Sequence, residues 1–296
     1  MTDLRLFAAI AEEGTLSRGA RRAFLTPPAA SARVRALEAG LGVALLYRGN
    51  RGVALTGAGE RFLHHARLIL RQLDYLRDDV AGDADRAGHL RVYANTTAVT
   101  EFLPELLASF LAARPGATVD VQERLTGDIL RGVREGSADL GIVSGEVAQA
   151  GLEAVPFSTD RLVMAVPEDH PLAPRGRVRF AETLAFAHIG LHEGSTLLAF
   201  LQHQMERNGY ERALRTQVRS FEAMCRMVES GVGVGVVPES AARRHARTMR
   251  LRFVGIDEDW ALRTRYVMMR ESASLPRLGR ALIDELVRTG AGGIAA

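Results

Sequence analysis

The sequence predicts an α/β protein headed by a mostly α winged helix-turn-helix, and three observations lead there. Apolar residues recur at helical spacing in three short runs near the start and then give way to a hairpin-like pair of segments. Residues 89–296 alternate strand-like and helix-like stretches. Positive charge gathers at the front: residues 1–58 carry eight arginines against Asp3, Glu12, Glu13 and Glu38, a balance of +4, whereas the whole chain sums to only +3. The 296 residues suffice for two or three units that each bury a core.

Leu4, Phe7, Ala8, Ile10 and Ala11 mark a first helix that Gly14 stops. Ser17 to Phe24 make a second, with Ala20, Ala23 and Phe24 expected on its packed side. Leu25-Thr26-Pro27-Pro28 fits a tight turn into a third helix. Thr26 can accept from the free backbone N–H groups, and proline costs no internal bond in a first helical turn. Ala29, Ala30, Val34 and Leu37 alternate with Ser31, Arg33, Arg35 and Glu38 until Gly40-Leu41-Gly42 ends the helix. Val43–Tyr47, a tip at Arg48-Gly49-Asn50-Arg51-Gly52, and Val53–Leu55 then read as a hairpin beside a helix-turn-helix. A small helical unit with a solvated basic face fits the same residues.

Thr56 can cap a long helix running to about Val80. Phe62, Ala66, Ile69, Leu73, Leu76 and Val80 stand at spacings of 4, 3, 4, 3 and 4, a heptad seam. Leu63 and Leu70 form a second apolar strip, so one strip can rest on the N-terminal unit and the other on a partner helix; a helix buried within one chain reads equally well. Residues 81–88 read as a polar hinge.

Beyond it, strands are expected at Leu90–Ala94, Thr118–Gln122, Leu140–Val143, Leu162–Val166, Ala187–Leu191, Arg215–Val218, Val232–Val237 and Thr264–Met269. Helices are expected at Leu103–Ala113, Asp128–Glu135, Thr196–Asn208, Glu222–Glu229 and Pro276–Arg288. This alternation argues for α/β layers with mainly parallel sheets.

Ala11-Glu12-Glu13-Gly14-Thr15-Leu16-Ser17-Arg18-Gly19-Ala20, Thr26-Pro27-Pro28-Ala29-Ala30-Ser31, Arg35-Ala36-Leu37-Glu38, Leu41-Gly42 and Leu55-Thr56-Gly57-Ala58-Gly59 occur in order. Together they resemble the N-terminal domain of the LysR-type transcriptional regulators. The resemblance continues through Phe102–Leu107, Gly136–Ile142, Pro167–Leu172 and Gly231–Pro238, and so covers nearly the whole chain. It implies a winged helix-turn-helix at 1–58, a linker helix and hinge at 59–88, and an effector-binding domain at 89–296. That domain would have the two lobes of periplasmic binding proteins, about 89–160 plus 268–296 and about 161–267.

The resemblance also implies a function and the residues that serve it. Thr26 to about Arg35 would enter the major groove, with Thr26, Pro27, Pro28, Ala29, Ser31, Ala32, Arg33 and Arg35 as the DNA-facing set. Ser17 and Arg18 on the preceding helix and Arg48 and Arg51 on the wing would join them. The family often has glutamine where Pro27 stands and arginine where Ala32 stands; neither residue here can donate a side-chain hydrogen bond to a base. Phe62, Ala66, Ile69, Leu73, Leu76 and Val80 would dimerise the linker. A small polar or anionic effector would lie between the lobes, at strand ends and helix starts. The matching positions are Asn95, Thr96 and Thr97, Thr126, Ser144 and Gly145, Gly194, Ser195 and Thr196, and Phe221 and Glu222; a helix cap is the plain alternative for each hydroxyl. The partners implied are double-stranded operator DNA, the effector and further copies of the chain in a homodimer or homotetramer, with RNA polymerase as a further candidate.

Catalytic readings fail on context. Gly231-Val232-Gly233-Val234-Gly235 comes after a helix and runs into a strand, the reverse of a phosphate loop, and suits close packing instead. His64 and His65 point about 100° apart on a helix, and His188 and His192 flank a strand, so no metal set is expected. Cys225, the one cysteine, admits no internal disulfide. No cofactor is called for, no apolar run reaches the roughly 20 residues of a membrane span, and a cytoplasmic, non-enzymatic protein is expected. A transport-type solute-binding module is the alternative, and the basic front segment disfavours it; an enzyme on an α/β scaffold is the other.

Overall fold

The computed structural model describes residues 1–49, 52–80, 87–145, 151–209 and 214–290. Two units make up the chain: Met1–Ala84 together with Glu135–Ser137, and Asp85–Arg134 with Ala138–Ala296.

In the first unit, α1 (Thr2–Glu13) buries Leu6, Phe7, Ala9 and Ile10 and ends at Gly14, whose φ of 65° is left-handed. The Gly14 carbonyl accepts from Val53 N–H at 2.9 Å and so ties this turn to the later hairpin. Helix α2 (Leu16–Arg22) crosses α1 closely because Gly19 has no side chain: a Cβ there would lie 2.5 Å from Ile10 Cα. Helix α3 (Pro27–Leu41) begins as expected, with Thr26 Oγ1 accepting from Ala29 N–H. Strands β1 (Leu46–Gly49) and β2 (Gly52–Leu55) pair antiparallel, Leu46 opposite Leu55. The hairpin is anchored by Glu38 of α3, whose Oε1 accepts from the backbone N–H groups of Leu45 and Leu46 at 2.9 and 3.1 Å. Helix α4 (Gly57–Val80) is capped by Thr56, and a Cβ at Gly59 would come 2.1 Å from Leu45 O.

The expected packing of Phe24 fails in this unit. Phe24 does not pack; it is 96% exposed. The turn between α2 and α3 places it at φ 57°, a left-handed conformation that sends the side chain away from the core.

The second unit alternates β3 (Ala87–Ala94), α5 (Thr96–Glu101), α6 (Leu103–Ala112), β4 (Gly116–Glu123), α7 (Thr126–Arg134) and β5 (Leu140–Ser144). Then come β6 (Glu153–Pro167), β7 (Arg177–Val178), α8 (Phe180–Thr183), β8 (His188–Leu191), α9 (Thr196–Arg207) and β9 (Leu214–Val218). It closes with α10 (Phe221–Glu229), β10 (Gly235–Pro238), α11 (Glu239–His245), β11 (Leu251–Ile256), β12 (Leu262–Met269) and α12 (Arg277–Gly290). One core gathers Leu90, Val92, Leu103, Phe110, Ile142, Phe157, Val267, Leu282 and Leu286. Another gathers Leu162, Met164, Phe180, Ile189, Leu198, Phe221, Met224, Val236, Val254 and Ala261. These are the interiors of two lobes.

The sheets are mixed, not mainly parallel. Strands β4, β3 and β5 run parallel, but β12 is antiparallel to β5 and β6, and β10 and β11 are antiparallel to β6. The cause is β6 itself. It begins at Glu153 rather than Leu162, pairs with β12 in the first lobe and continues with β10 and β11 in the second. The strand expected from the sequence begins only at Leu162; the polar residues Ser158, Thr159 and Asp160 lie within the observed one, where the chain crosses between lobes. Asp160 Oδ2 accepts from Arg265 of β12 at 2.5 Å at the crossing, with both side chains about nine-tenths buried. The glycine run packs as expected: Gly235 in β10 faces Met224 of α10, whose Sδ would be 2.7 Å from an added Cβ.

Candidate functional site

In the first unit α3 presents a surface free of its own core. Ala30 and Val34 are buried, which leaves Pro28, Ala32 and Arg35 on the opposite side, all exposed. Thr26, Pro27, Ser17 and Arg18 are also exposed, and Ala29 and Ser31 are half-buried. Arg35 has no ion-pair partner among the described residues. Arg33 does: its Nε donates to Asp3 Oδ1 of α1 at 2.7 Å. Ser31 and Arg33 stand two residues apart, about 200° around a helix, so they do not share one face as expected. Arg18 is turned back onto Glu13: its Nη2 donates to the Glu13 carbonyl, and its Nε lies 3.6 Å from the carboxylate. Arg51 and the side chain of Arg48 lie outside the described residues.

The proposed helix seam divides along its length. Phe62 packs edge-on against Phe7 at 4.9 Å, and Leu63 and Ala66 are buried. Ile69 and Leu76 stay 49% and 57% exposed, with Leu73 half-buried. The Val80 side chain lies outside the described residues.

In the second unit, β4 and β8 each hand over to a helix, and the two helix starts meet. Thr126 N–H at the start of α7 donates to Thr196 Oγ1 at the start of α9 at 3.2 Å, and the two hydroxyls lie 3.3 Å apart. Beside them Thr96 Oγ1 donates to Glu123 Oε1 at 2.6 Å, and His192 Nε2 stands 4.0 Å from the same oxygen. His192 Nδ1 is buried with no hydrogen-bond partner among the described residues.

A second chain of contacts spans the lobes. Asn95 caps α5 and donates from Nδ2 to Ser144 Oγ at 3.1 Å. The Ser144 carbonyl accepts from Arg263 of β12 at 2.7 Å, and that guanidinium lies 4.8 Å over the Phe200 ring of α9. Gly145, at φ 87°, leaves room for it, since a Cβ would lie 2.8 Å from the Arg263 nitrogen. Arg263 makes no ion pair with a described carboxylate, and burial lowers its pKa to about 10.

The expected effector residues thus fall into three groups of contacts: Thr126 with Thr196, Thr96 with Glu123 and His192, and Asn95, Ser144 and Gly145 with Arg263. Thr97 is half-buried beside them, and Gly194 is exposed with the His192 ring 3.2 Å from its Cβ direction. Ser195 is fully buried and caps Leu198 N–H, a structural duty. Phe221 and Glu222 do not join: Phe221 lies in the second lobe's core, and Glu222 pairs with Arg226 on its own helix at 2.9 Å. Glu123, His192, Phe200 and Arg263 were not legible as a site. Only His192 carried a signal, and its spacing pointed to metal rather than to a cleft.

Comparison with known proteins agrees with this architecture. The family description "Bacterial regulatory helix-turn-helix protein, lysR family" matches residues 1–60, and "LysR substrate binding domain" matches residues 83–291. A probable hydrogen peroxide-inducible genes activator of Mycobacterium avium is 33% identical over 251 residues, 84% of this chain and 80% of that protein. A probable RuBisCO transcriptional regulator of Porphyra purpurea is 30% identical, covering 81% and 78%. Among solved structures, full-length OxyR of Pseudomonas aeruginosa superposes with a TM-score of 0.73 at 25% identity, covering 98% of this chain and 96% of that one. CbnR in complex with its target DNA gives 0.55 at 25% identity, covering 97% and 98%.

Proposed function

This chain belongs to the LysR family of DNA-binding transcriptional regulators, and from that premise we propose that it grips a two-fold operator through paired α3 helices and alters that grip when a small anion enters the cleft between its lobes. Pro28, Ala32 and Arg35 form the groove-facing side of α3. Arg35, free of any described carboxylate, supplies a phosphate contact. Exposed Ile69 and Leu76 on a long helix call for a partner helix, a second copy of the chain. Bacterial cytoplasm, where the DNA lies, is the working compartment. The known relatives are regulators, and we read this chain likewise as a protein without catalysis.

The observation that carries the ligand reading is Arg263. A guanidinium partly withdrawn from water, with only the more distant Asp160 carboxylate acting on it, favours a further anion. Here it is held between Ser144 and Phe200, and Phe200 lies one turn along α9 from Thr196, which meets Thr126 of the other lobe. An effector carboxylate or phosphate on Arg263 and the α7 and α9 starts would favour the closed arrangement.

Melting curves with a panel of small carboxylates and phosphates test this. One of them should raise the melting temperature of the parent, by the equivalent of about 2.7 kcal/mol at a hundredfold excess over Kd. Arg263→Met should lose that response at least tenfold. A response only to uncharged compounds would sink the anion reading. For the DNA half, Arg35→Ala should weaken binding to selected and unrelated duplexes alike and lower the salt slope by about 1.

A further inference from the structure

Three neighbouring strands of the first lobe end in two opposite charges that do not meet. Glu123 closes β4, and Arg263 is held at the end of β5 by the Ser144 carbonyl. Strand β3 runs between them, with Ala94 opposite Glu123 on one side and Ile142 on the other. Two strand spacings set the acid and the base about 10 Å apart. Both charges lie between the lobes. Glu123 Oε1 accepts from Thr96 of the first lobe and stands 4.0 Å from His192 Nε2 of the second, beyond hydrogen-bond reach. The loops that carry Glu123 and His192 are the two that lead to the Thr126–Thr196 contact. Arg263 rests on the Phe200 ring of the second lobe.

Neither charge is answered. The Glu123 side chain is 35% exposed, and no arginine pairs with it among the described residues. Arg124, next in the chain, is turned elsewhere: it donates to the Glu123 carbonyl and to Gln122 Oε1, both at 2.8 Å, and lies over the Tyr93 ring. Arg263 is half-buried, and Asp160 acts on it only from farther off. Opposite charges left open at one cleft are complementary to a ligand that carries both counter-charges.

We infer that the effector is a zwitterion, a short straight-chain amino acid with its carboxylate on Arg263 and its ammonium on Glu123. The inference rests on the reading that Arg263 takes the effector's anionic group, and it names the other end of the molecule. Charge-assisted hydrogen bonds of about 2.8 Å at each end leave roughly 4–5 Å between the ligand's ammonium and carboxylate oxygen, the span of β-alanine or 4-aminobutanoate. A plain carboxylate of that size brings a second negative charge toward Glu123 and gives it no counter-charge. Inside a cleft that repulsion is less screened than in water. A dicarboxylate fits worse, because its second anion faces Glu123 directly.

Calorimetric titration of the full chain tests this with glycine, β-alanine, 4-aminobutanoate and 5-aminopentanoate, each against the unsubstituted carboxylate of the same length. β-Alanine or 4-aminobutanoate should bind at least tenfold more tightly than propanoate or butanoate. Glu123→Gln keeps an acceptor for Thr96 and should bring the amino acid down to the level of the plain acid. Glu123→Lys should invert the preference, so that succinate and glutarate bind more tightly than the amino acids. Arg263→Met should weaken amino acids and plain acids alike. Plain acids that match the amino acids in the parent, and lose that binding in Arg263→Met, would leave the anion reading standing and overturn the zwitterion. The zwitterion is equally overturned if Glu123→Gln retains the preference, if Glu123→Lys still favours the amino acids, or if Arg263→Met leaves their binding unchanged. No binding of any probe to the parent would overturn both readings.

Discussion

At the scale of single residues, Cys225 separates this chain from one reading its relatives invite. It is the one cysteine, it is buried in the second lobe's core, and burial pushes its thiol up to about 12. Nucleophilic attack on peroxide needs the thiolate, and an internal disulfide needs a second thiol. Cys225→Ala is therefore expected to cost about 1 kcal/mol of stability and to leave operator affinity the same before and after peroxide treatment. A gel shift of parent and variant checks it; a peroxide response in the parent that the variant lacks would refute it. The Thr126–Thr196 contact is the other decisive pair. Replacing Thr196 with Val keeps its shape and removes its oxygen, so effector affinity should fall about three- to tenfold, the worth of a neutral hydrogen bond. A lower melting temperature with unchanged affinity would instead assign both residues to capping.

The elements that matter most are the paired strands β6 and β12 and the long helix α4. Asp160 and Arg265 face each other where both strands cross between lobes, each about nine-tenths buried. Removing one partner strands a buried charge, so Asp160→Ala should destabilise the chain by about 3–5 kcal/mol. The double change Asp160→Leu with Arg265→Met should cost much less, which urea unfolding measures directly. Burial also holds the Asp160 and Glu101 carboxyls above their ordinary values of 3.8 and 4.5. The folded chain then takes up those protons at a higher pH than the unfolded chain does. Their contribution to stability accordingly grows as pH falls from neutral through the raised values and levels off below the ordinary ones. On α4, Phe62, Leu63 and Ala66 pack within the chain, and Ile69 and Leu76 are left outside. Ile69→Glu with Leu76→Glu should reduce the mass seen by light scattering and weaken operator binding more than it affects melting of the chain. An unchanged mass would mean that the chain assembles through another surface.

For the whole molecule, sensing and DNA binding must be coupled reciprocally if one ligand governs both. Whatever factor the effector applies to operator affinity, the operator applies to effector affinity. Titrating the effector with and without saturating operator, and the operator with and without effector, should give the same ratio. Unequal ratios would point to a change of assembly state between the two measurements, because a fixed assembly cannot produce them.

The residues by themselves determined the helix-turn-helix, its Thr26 cap, the Gly14 and Gly42 stops, the hairpin, the long helix and most strands of the second unit. Each of these rests on local physics: periodicity, caps and backbone freedom act within a few residues. The positions of Asn95, Thr126 and Thr196 at strand-to-helix junctions follow for the same reason, since those junctions are marked by local pattern. Only the tertiary structure decided the rest. It made β6 one strand across two lobes, against the polar run Ser158-Thr159-Asp160, because Arg265, more than a hundred residues later, satisfies Asp160 there. It sent Phe221 into a core and Phe24 out of one. It joined Glu123 to His192 and Arg263 to Phe200, pairs whose members lie too far apart in sequence for any local pattern to link them. A buried charge or ring takes its role from what faces it, and in this chain the facing partner comes from the other lobe.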